Sequence, residues 1–311
     1  MNVITRITSL RSLMKEKGID GYLVYGTDPH LSEYVPNAWR TREWISGFSG
    51  SYGKVAITQD RAVLWTDSRY FIQAELQLSG TGIEIMKDRQ ADTISVDCWL
   101  ENELNPGSTV AIDGLTISAA EANVLEQKIS AKGITLKLNI DLVSSVWENR
   151  PILPQTLVSD YPVQFAGCSR PDKLANIRSW LTRNKAEATL ICQLDDLAWS
   201  FNLRGNEINY NPLFTGYGYV DQQQAIIFVT KGKITSALLD VLEKDGVQVK
   251  DYDSVFSFIE QLKTVSFYLD QERTNSLIYR LISKQNKVID GLSIPTLLKS
   301  IKNDVEIAGM K

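Results

Sequence analysis

Residues 54–66 read KVAITQDRAVLWT, and this stretch contains two apolar runs, Lys54–Thr58 and Ala62–Thr66. The polar triplet Gln59-Asp60-Arg61 separates the two runs. Short runs with β-branched residues on either side of a polar turn predict a β-hairpin. Before the hairpin, Gly21–Tyr25 is a further apolar run of strand length, and a glycine follows it.

Helix-like and strand-like segments alternate outward from this hairpin through the first half of the chain. We predict a first helix that Thr5 or Thr8 caps and Gly18 ends, and a turn of helix that Asp28 caps. The other predicted elements of this half are Tyr70–Leu78 (helix), Gly82–Met86 (strand), Ala91–Leu104 (helix), Thr109–Asp113 (strand), Ser118–Ile129 (helix) and Thr135–Leu138 (strand). This alternation predicts an α/β domain, a mixed β-sheet flanked by helices.

The second half repeats this order of elements. Residues 216–230 form a second predicted hairpin. Thr189–Gln193 corresponds in order and spacing to Tyr22–Tyr25, and Val265–Asp270 corresponds to Thr109–Asp113. The sequence therefore predicts an internal duplication of one α/β unit, although few residues are identical between the halves.

Two residue pairs interrupt the pattern near the middle, Arg150-Pro151 and Leu153-Pro154. Proline forces the residue before it into an extended conformation, so the domain boundary is expected here. We predict a first domain over residues 1–154, a second over residues 155–299, and the start of a third over residues 300–311.

The last segment has a helix start signal, because Asn303 or Asp304 can cap an apolar stripe. The sequence ends about two turns later, at Lys311. A helix this short has little reason to form alone. The segment is either a frayed terminus or the first turns of a further domain, and we favour the second interpretation.

Composition excludes several classes of protein. The 311 residues include 33 Lys and Arg against 37 Asp and Glu, and no basic run predicts contact with nucleic acid or an anionic membrane. No apolar run reaches the length of a membrane span, and the first residues lack the apolar core of a signal peptide. The three cysteines are widely spaced, which is typical of a reducing compartment, so we expect a cytoplasmic protein.

The single histidine, His30, restricts the chemistry further. One histidine cannot build a His-rich metal centre or an HExxH zinc site. His30 and Glu33 are three residues apart and could share a helix face toward a metal, but two ligands do not make a site. We interpret His30 as a hydrogen-bonded structural residue.

Other polar segments have structural interpretations as well. The Gly/Ser-rich stretch 46–53 precedes a strand and lacks the lysine of a phosphate-binding loop, so its glycines are interpreted as turn residues. Asp195 and Asp196 are explained by a helix N-terminus. Asp67 and Arg69 follow Trp65 and are typical either of a helix cap with a salt bridge or of a pocket wall. No nucleophile, base and orienting group can be assembled from these residues.

The same segments resemble one family. Its motifs are matched nearly along the whole chain and in the same order by DPHLSEY (28–34), REWISGFSGS (42–51), AVLWTDSRYF (62–71), VWENRP (146–151), LDDLAWSFNLRG (194–205), YNPLF (210–214) and KNDVE (302–306). These segments are similar to three-domain aminopeptidase P, the Xaa-Pro aminopeptidases of the creatinase/prolidase superfamily. Residues 28–71 resemble its first domain, 146–151 the linker between domains, 194–214 its second domain and 302–306 the start of its catalytic domain. Ser68 departs from the pattern, because glycine is common there.

This resemblance implies two tandem creatinase N-terminal-type domains with a ribonuclease H-like fold, followed in the family by a "pita-bread" catalytic domain. The family removes the N-terminal residue from peptides with proline second, and two metal ions, usually manganese, act in the catalytic domain. The implied metal ligands would lie beyond Lys311, so the resemblance implies no cofactor and no catalytic residue within these 311 residues. Short Xaa-Pro peptides and a second copy in a homodimer are the implied partners.

The resemblance also implies roles in dimerisation and substrate access for these two domains. We hypothesise that Arg42, Trp65, Asp67 and Arg69 lie on a surface that faces the catalytic domain or the dimer mate. Replacing Arg42 or Trp65 should then alter kcat/KM more than folding. A stand-alone binding module of the same fold is the alternative, and chemistry by His30 and Glu33 within the chain is a further one.

Overall fold

A computed structural model describes residues 2–311. The chain folds as two compact units, which we call the first unit and the second unit, and it passes from one to the other between Leu153 and Pro154. Within the described residues, no helix is both long and apolar enough to cross a membrane.

The first unit alternates helices and strands around one sheet. Its elements are α1 (Val3–Glu16), β1 (Gly21–Tyr25), α2 (Thr41–Ser46), β2 (Lys54–Thr58), β3 (Ala62–Thr66), α3 (Phe71–Leu78), β4 (Glu84–Lys87), α4 (Val96–Glu103), β5 (Thr109–Ile112), α5 (Ala119–Ser130), β6 (Thr135–Lys137) and α6 (Val143–Val146). A turn of 3-10 helix, Asn37–Trp39, precedes α2.

The sheet of the first unit has six strands in the order β4-β3-β2-β1-β5-β6. The predicted hairpin is confirmed: β2 and β3 are antiparallel, with Lys54 opposite Trp65. β1 pairs antiparallel with β2 and parallel with β5. Val24 packs in the core on one face of the sheet and Leu23 in the core on the other, so the central strands are buried on both faces.

The second unit is built in the same way. Its elements are β7 (Ser159–Asp160), α7 (Val163–Ala166), α8 (Arg170–Arg183), β8 (Ala188–Ile191), α9 (Leu194–Ser200), β9 (Leu203–Arg204), β10 (Tyr217–Asp221), β11 (Ala225–Phe228), α10 (Ser236–Lys244), β12 (Val247–Lys250), α11 (Ser254–Gln261), β13 (Ser266–Leu269), α12 (Ser276–Ser283), β14 (Lys287–Asp290), α13 (Ile294–Ser300) and α14 (Asp304–Met310).

The two large sheets have the same topology, which confirms the predicted duplication. The second sheet has the order β12-β11-β10-β8-β13-β14, so β8 occupies the place of β1 and β13 the place of β5. The parallel and antiparallel pairings also correspond, since β8 pairs antiparallel with β10 and parallel with β13. The chain is therefore an α/β protein with two tandem, related units.

Several predicted bounds were wrong for local reasons. α1 begins earlier than expected because the Asn2 side chain, not that of Thr5 or Thr8, caps it by accepting a hydrogen bond from the Thr5 backbone N–H at 2.9 Å. α4 begins at Val96 instead of Ala91, and the preceding residues form turns. β14 and α13 were not predicted, although β14 adds an edge strand to the second sheet.

Helix α14 is fastened to the second unit. The Asn303 side chain and Glu306 form a reciprocal capping box, which confirms the cap predicted from the sequence. Asn303 Nδ2 also donates to the Ala166 carbonyl at 2.9 Å, and Trp199 Nε1 donates to Glu306 Oε1 at 3.3 Å. These contacts hold the short helix in place, while the start of a further domain at residues 300–311 stays a prediction.

Asp113 makes the stability of the first unit sensitive to pH. Burial, reinforced by nearby Asp141, raises the pKa of Asp113 to about 6, although Leu115 N–H donates to its carboxylate. The native state therefore binds more protons than the unfolded state between pH about 4 and about 6, so this contribution to stability is lost as pH rises through that window. We expect the free energy of unfolding of Asp113→Asn, relative to that of the wild type, to be higher at pH 7.5 than at pH 4.5.

Urea unfolding followed by tryptophan fluorescence at the two pH values measures this difference. An effect of Asp113→Asn that is equal at both pH values, or larger at pH 4.5, would contradict the raised pKa.

Candidate functional site

A cavity of ≈ 450 Å³ opens in the first unit at the carboxyl end of β1. Residues 25–27, 31–33 and 51–54 form its walls, together with Trp65, Arg69 and Glu121. β1 and its parallel neighbour β5 end at this edge, and α5 starts there with Glu121 in its first turn. Ligands of open α/β sheets bind outside the carboxyl ends of the strands, so this edge is the candidate site.

The loop after β1 forms one wall through a tight turn. Asp28 is fully buried, and its Oδ1 accepts hydrogen bonds from the backbone N–H groups of His30 and Ser32, both at 3.0 Å. These hydrogen bonds stabilise a tight turn at the position where a turn of helix was predicted. His30 is buried, whereas the Glu33 side chain is 54% exposed, so the two do not share a helix face.

Arg42 supports the cavity from inside the domain. It is 5% exposed, and its guanidinium donates to the carbonyl oxygens of Gly50 and Gly53 while lying over the Phe48 ring. Burial lowers the pKa of Arg42 to about 10. The prediction that Arg42 lies on a surface was wrong. Its guanidinium is buried because it donates hydrogen bonds to carbonyl oxygens of the 46–53 loop.

Glycine is required where this loop meets the hairpin. A Cβ on Gly53 would lie 2.6 Å from the Trp65 carbonyl oxygen, a backbone atom that cannot move aside. A Cβ on Gly26 would lie 2.6 Å from Arg42 Nη1. Gly53, which belongs to the predicted turn stretch, and Gly26 therefore allow β1, the loop and the hairpin to approach one another around Arg42.

Trp65 is also buried, at 1% exposure, and not on a surface as expected. Its Nε1 donates to the Ile94 carbonyl at 2.9 Å, and its ring packs edge-on against Trp99 at 5.7 Å between centroids. The pairing with Lys54 places Trp65 at the carboxyl end of β3, and the residue is one of those that line the cavity.

Asp67 and Arg69 form the expected salt bridge beside the cavity. Arg69 Nε donates to Asp67 Oδ1 at 3.1 Å and Nη2 donates to Oδ2 at 2.9 Å, a two-pronged contact that lowers the pKa of Asp67. Arg69 Nη1 lies 3.7 Å from Glu33 Oε1, and Ser51 Oγ donates to the same oxygen at 3.2 Å. Arg69 thus lines the cavity, and Asp67 orients it.

A second ionic cluster lies at the start of β2. Lys54 Nζ is 2.9 Å from Glu121 Oε1, and the Tyr25 hydroxyl donates to the same oxygen at 2.8 Å. Burial, followed by the nearby Glu121 charge, raises the pKa of Tyr25 well above its usual value. Tyr25, Lys54 and Glu121 were not identified from the sequence, since Tyr25 and Glu121 are 96 residues apart.

The corresponding edge of the second unit is filled. Only ≈ 20 Å³ is open at the carboxyl ends of β8 and β13. Asp196, 1% exposed, accepts hydrogen bonds from Thr296 at 3.0 Å and from Ser293, and Lys299 pairs with it. Asp195 and Asp196 lie in the first turn of α9, as predicted, and Asp196 also fastens α13.

The four predicted site residues occupy two kinds of position. The structure brings Trp65 and Arg69 to the cavity wall, whereas Arg42 and Asp67 stand behind it as supports. Among residues 2–311, no group of three or more His, Cys, Asp or Glu side chains could hold a metal ion.

Two models of the creatinase/prolidase N-terminal domain match the chain, one over residues 6–140 and one over residues 149–306. The chain is 34% identical over 322 residues to a probable Xaa-Pro aminopeptidase P of Botryotinia fuckeliana, covering 100% of this chain and 49% of the relative. It is 36% identical over 324 residues to the Sordaria macrospora protein of the same name, covering 100% and 53%.

A solved structure gives the same picture. The chain superposes with a TM-score of 0.94 on the X-prolyl aminopeptidase of Caenorhabditis elegans, described as a cytosolic enzyme with a di-nuclear active site. The two are 31% identical, and the match covers 100% of this chain and 53% of that one. The chain thus spans about half the length of the relatives that it matches.

Proposed function

Because the chain belongs to the creatinase/prolidase N-terminal domain family in both of its units, we propose that it forms the non-catalytic N-terminal half of a metal-dependent Xaa-Pro aminopeptidase. The observation that supports this proposal most strongly is the share of the related enzyme that the chain matches. The whole chain matches only about half of an X-prolyl aminopeptidase, at a TM-score of 0.94. The longer protein removes the N-terminal residue from peptides whose second residue is proline.

In this proposal the metal ions belong to the downstream half. The name of the Caenorhabditis elegans structure describes a di-nuclear active site, which supports two metal ions, and we propose manganese. No step of the reaction is assigned to residues of this chain. The same name describes a cytosolic enzyme, which supports a cytoplasmic location for the longer protein.

The two units then serve dimerisation and substrate access. Ile72 and Leu76, each 75% exposed, lie one turn apart on α3, and such an apolar pair favours contact with another protein surface. The cavity beside Arg69 and Trp65 supports a role in access, because walls that narrow an entrance select short peptides. The third predicted segment, residues 300–311, is proposed as the lead into the catalytic half.

A fusion protein tests the proposal. Residues 1–311 are joined to the downstream half of the Caenorhabditis elegans enzyme at the end of the matched region, and release of the first residue from an Xaa-Pro-Pro peptide is measured with manganese. We expect activity in the fusion and none in the 311-residue chain. Sedimentation of the fusion should give the mass of a dimer, and Ile72→Lys should lower that mass.

A folded fusion without activity, beside an active unmodified Caenorhabditis elegans enzyme, would contradict the proposal. It would favour a stand-alone binding module with the same fold.

A further inference from the structure

We propose that the cavity of the first unit binds a small zwitterion, a free amino acid or a short peptide with both termini unmodified. Its volume of ≈ 450 Å³ lies within the range of about 300–1,000 Å³ of small-ligand pockets. Such binding needs no metal centre and no downstream half, so it is separate from the proposed peptidase activity.

The charges around the cavity match a ligand of this kind. Lys54 and Glu121 form one ionic cluster on its wall, and Arg69 and Glu33 form another. The wall thus presents two cations and two anions, with no net charge. A ligand with one charge meets repulsion as well as attraction there, whereas a zwitterion places its carboxylate at Arg69 and its ammonium at Glu33.

Arg69 has donors to offer to a carboxylate. Asp67 occupies Nε and Nη2 and fixes the guanidinium plane. Nη1 lies 3.7 Å from Glu33 Oε1, which is longer than a hydrogen bond. Arg69 and Glu33 are each 54% exposed, and an exposed pair of this kind contributes little to stability. A ligand can therefore enter between the two charges without disrupting the fold.

The remaining walls suit a small amphipathic molecule. Two tyrosines, Tyr25 and Tyr52, and the polar residue Ser32 are among the residues that line the cavity. Leu31, also on the wall, has a φ of 55°, a left-handed conformation that is uncommon for leucine. Strained backbone of this kind is concentrated at ligand sites, where the surrounding structure maintains it.

The duplication provides an internal comparison. At the corresponding edge of the second unit, Arg273 donates to Gln193 and Thr296, and only ≈ 20 Å³ stays open. That space is enough for about one water molecule. The cavity at the carboxyl ends of β8 and β13 is thus much smaller than the cavity at the end of β1.

Isothermal titration of the 311-residue chain with alanine, Ala-Ala and Ala-Ala-Ala tests the proposal. We expect at least one of these to bind with a Kd of about 1 mM or below. N-acetylation or C-terminal amidation should weaken binding about tenfold or more, because each removes one charge. The length that binds most tightly identifies the ligand as an amino acid or a peptide.

Two variants separate the ends of the ligand. Arg69→Gln should weaken binding of the ligand with a free carboxylate, so that this ligand no longer binds more tightly than its C-terminal amide. Glu33→Gln should remove the tighter binding of the free amine relative to the N-acetylated ligand. Arg183→Gln, an exposed arginine of the second unit, is the matched control and should leave Kd unchanged. The proposal is overturned if none of the peptides binds at up to about 10 mM, or if capped and free forms bind equally.

A negative titration leaves the fusion assay unaffected, so the two proposals fail separately.

Discussion

Lys233→Met is expected to lower the free energy of unfolding of the second unit by about 3–5 kcal/mol. Lys233 and Glu207 are both fully buried, with 2.8 Å between Nζ and Oε1. Glu207 Oε2 also accepts hydrogen bonds from the backbone N–H and the hydroxyl of Thr215, both at 2.7 Å. Methionine fills the volume of the lysine stem but leaves the carboxylate buried without its cation, and this missing compensation causes the loss.

The chain offers a matched control two residues earlier. Lys231 is exposed, so Lys231→Met should change the free energy of unfolding by less than about 0.5 kcal/mol. Adding Glu207→Gln to Lys233→Met should recover part of the loss, because the second change removes the uncompensated charge. Urea unfolding measures all three variants. A loss below about 1 kcal/mol for Lys233→Met would show that the pair is not buried as described.

Arg42→Met is expected to destabilise the first unit by about 2–4 kcal/mol. The change leaves the buried Gly50 carbonyl and the half-buried Gly53 carbonyl without their donor, and an unsatisfied buried acceptor costs roughly 1–3 kcal/mol. The buried position of Arg42 thus favours a folding effect over the functional effect expected from the sequence.

Arg69→Met is the control for Arg42→Met. Arg69 is 54% exposed and pairs with Asp67 at the surface, so its loss should cost less than about 1 kcal/mol. Urea unfolding of both variants, together with the titration with Ala-Ala, distinguishes a residue that stabilises the fold from one that contacts the ligand. Equal stability of the two variants would contradict the assignment of Arg42 as an internal support.

Local patterns predicted the strands well. The bounds of β2 and β3 agree with the runs Lys54–Thr58 and Ala62–Thr66, because a polar triplet between two buried runs leaves little freedom in the register. The order of elements along the second unit repeats that of the first, as predicted, whereas the order of strands within the two sheets was not predicted. β14 was missed because its burial is only partial, so Lys287–Asp290 shows no continuous apolar run.

The site was harder to predict, because its contacts join distant parts of the chain. Nothing in the sequence near Glu121 indicates that it meets Tyr25 and Lys54. Arg42 was expected on a surface because of the roles that the family resemblance implies, and only its hydrogen bonds with the carbonyls of Gly50 and Gly53 explain its buried position. The carboxyl-edge rule for parallel strands could have identified Tyr25, since β1 was predicted with the correct end.

Whether metal binding and catalysis reside outside these residues is tested most directly by counting bound manganese after equilibrium dialysis, with peptide cleavage measured on the same samples. The 311-residue chain should retain no manganese and release no residue from an Xaa-Pro-Pro peptide, and the fusion with the downstream half should retain two ions per polypeptide and cleave the peptide. Stoichiometric manganese and cleavage in the 311-residue chain alone would contradict the proposal that this chain is the non-catalytic half.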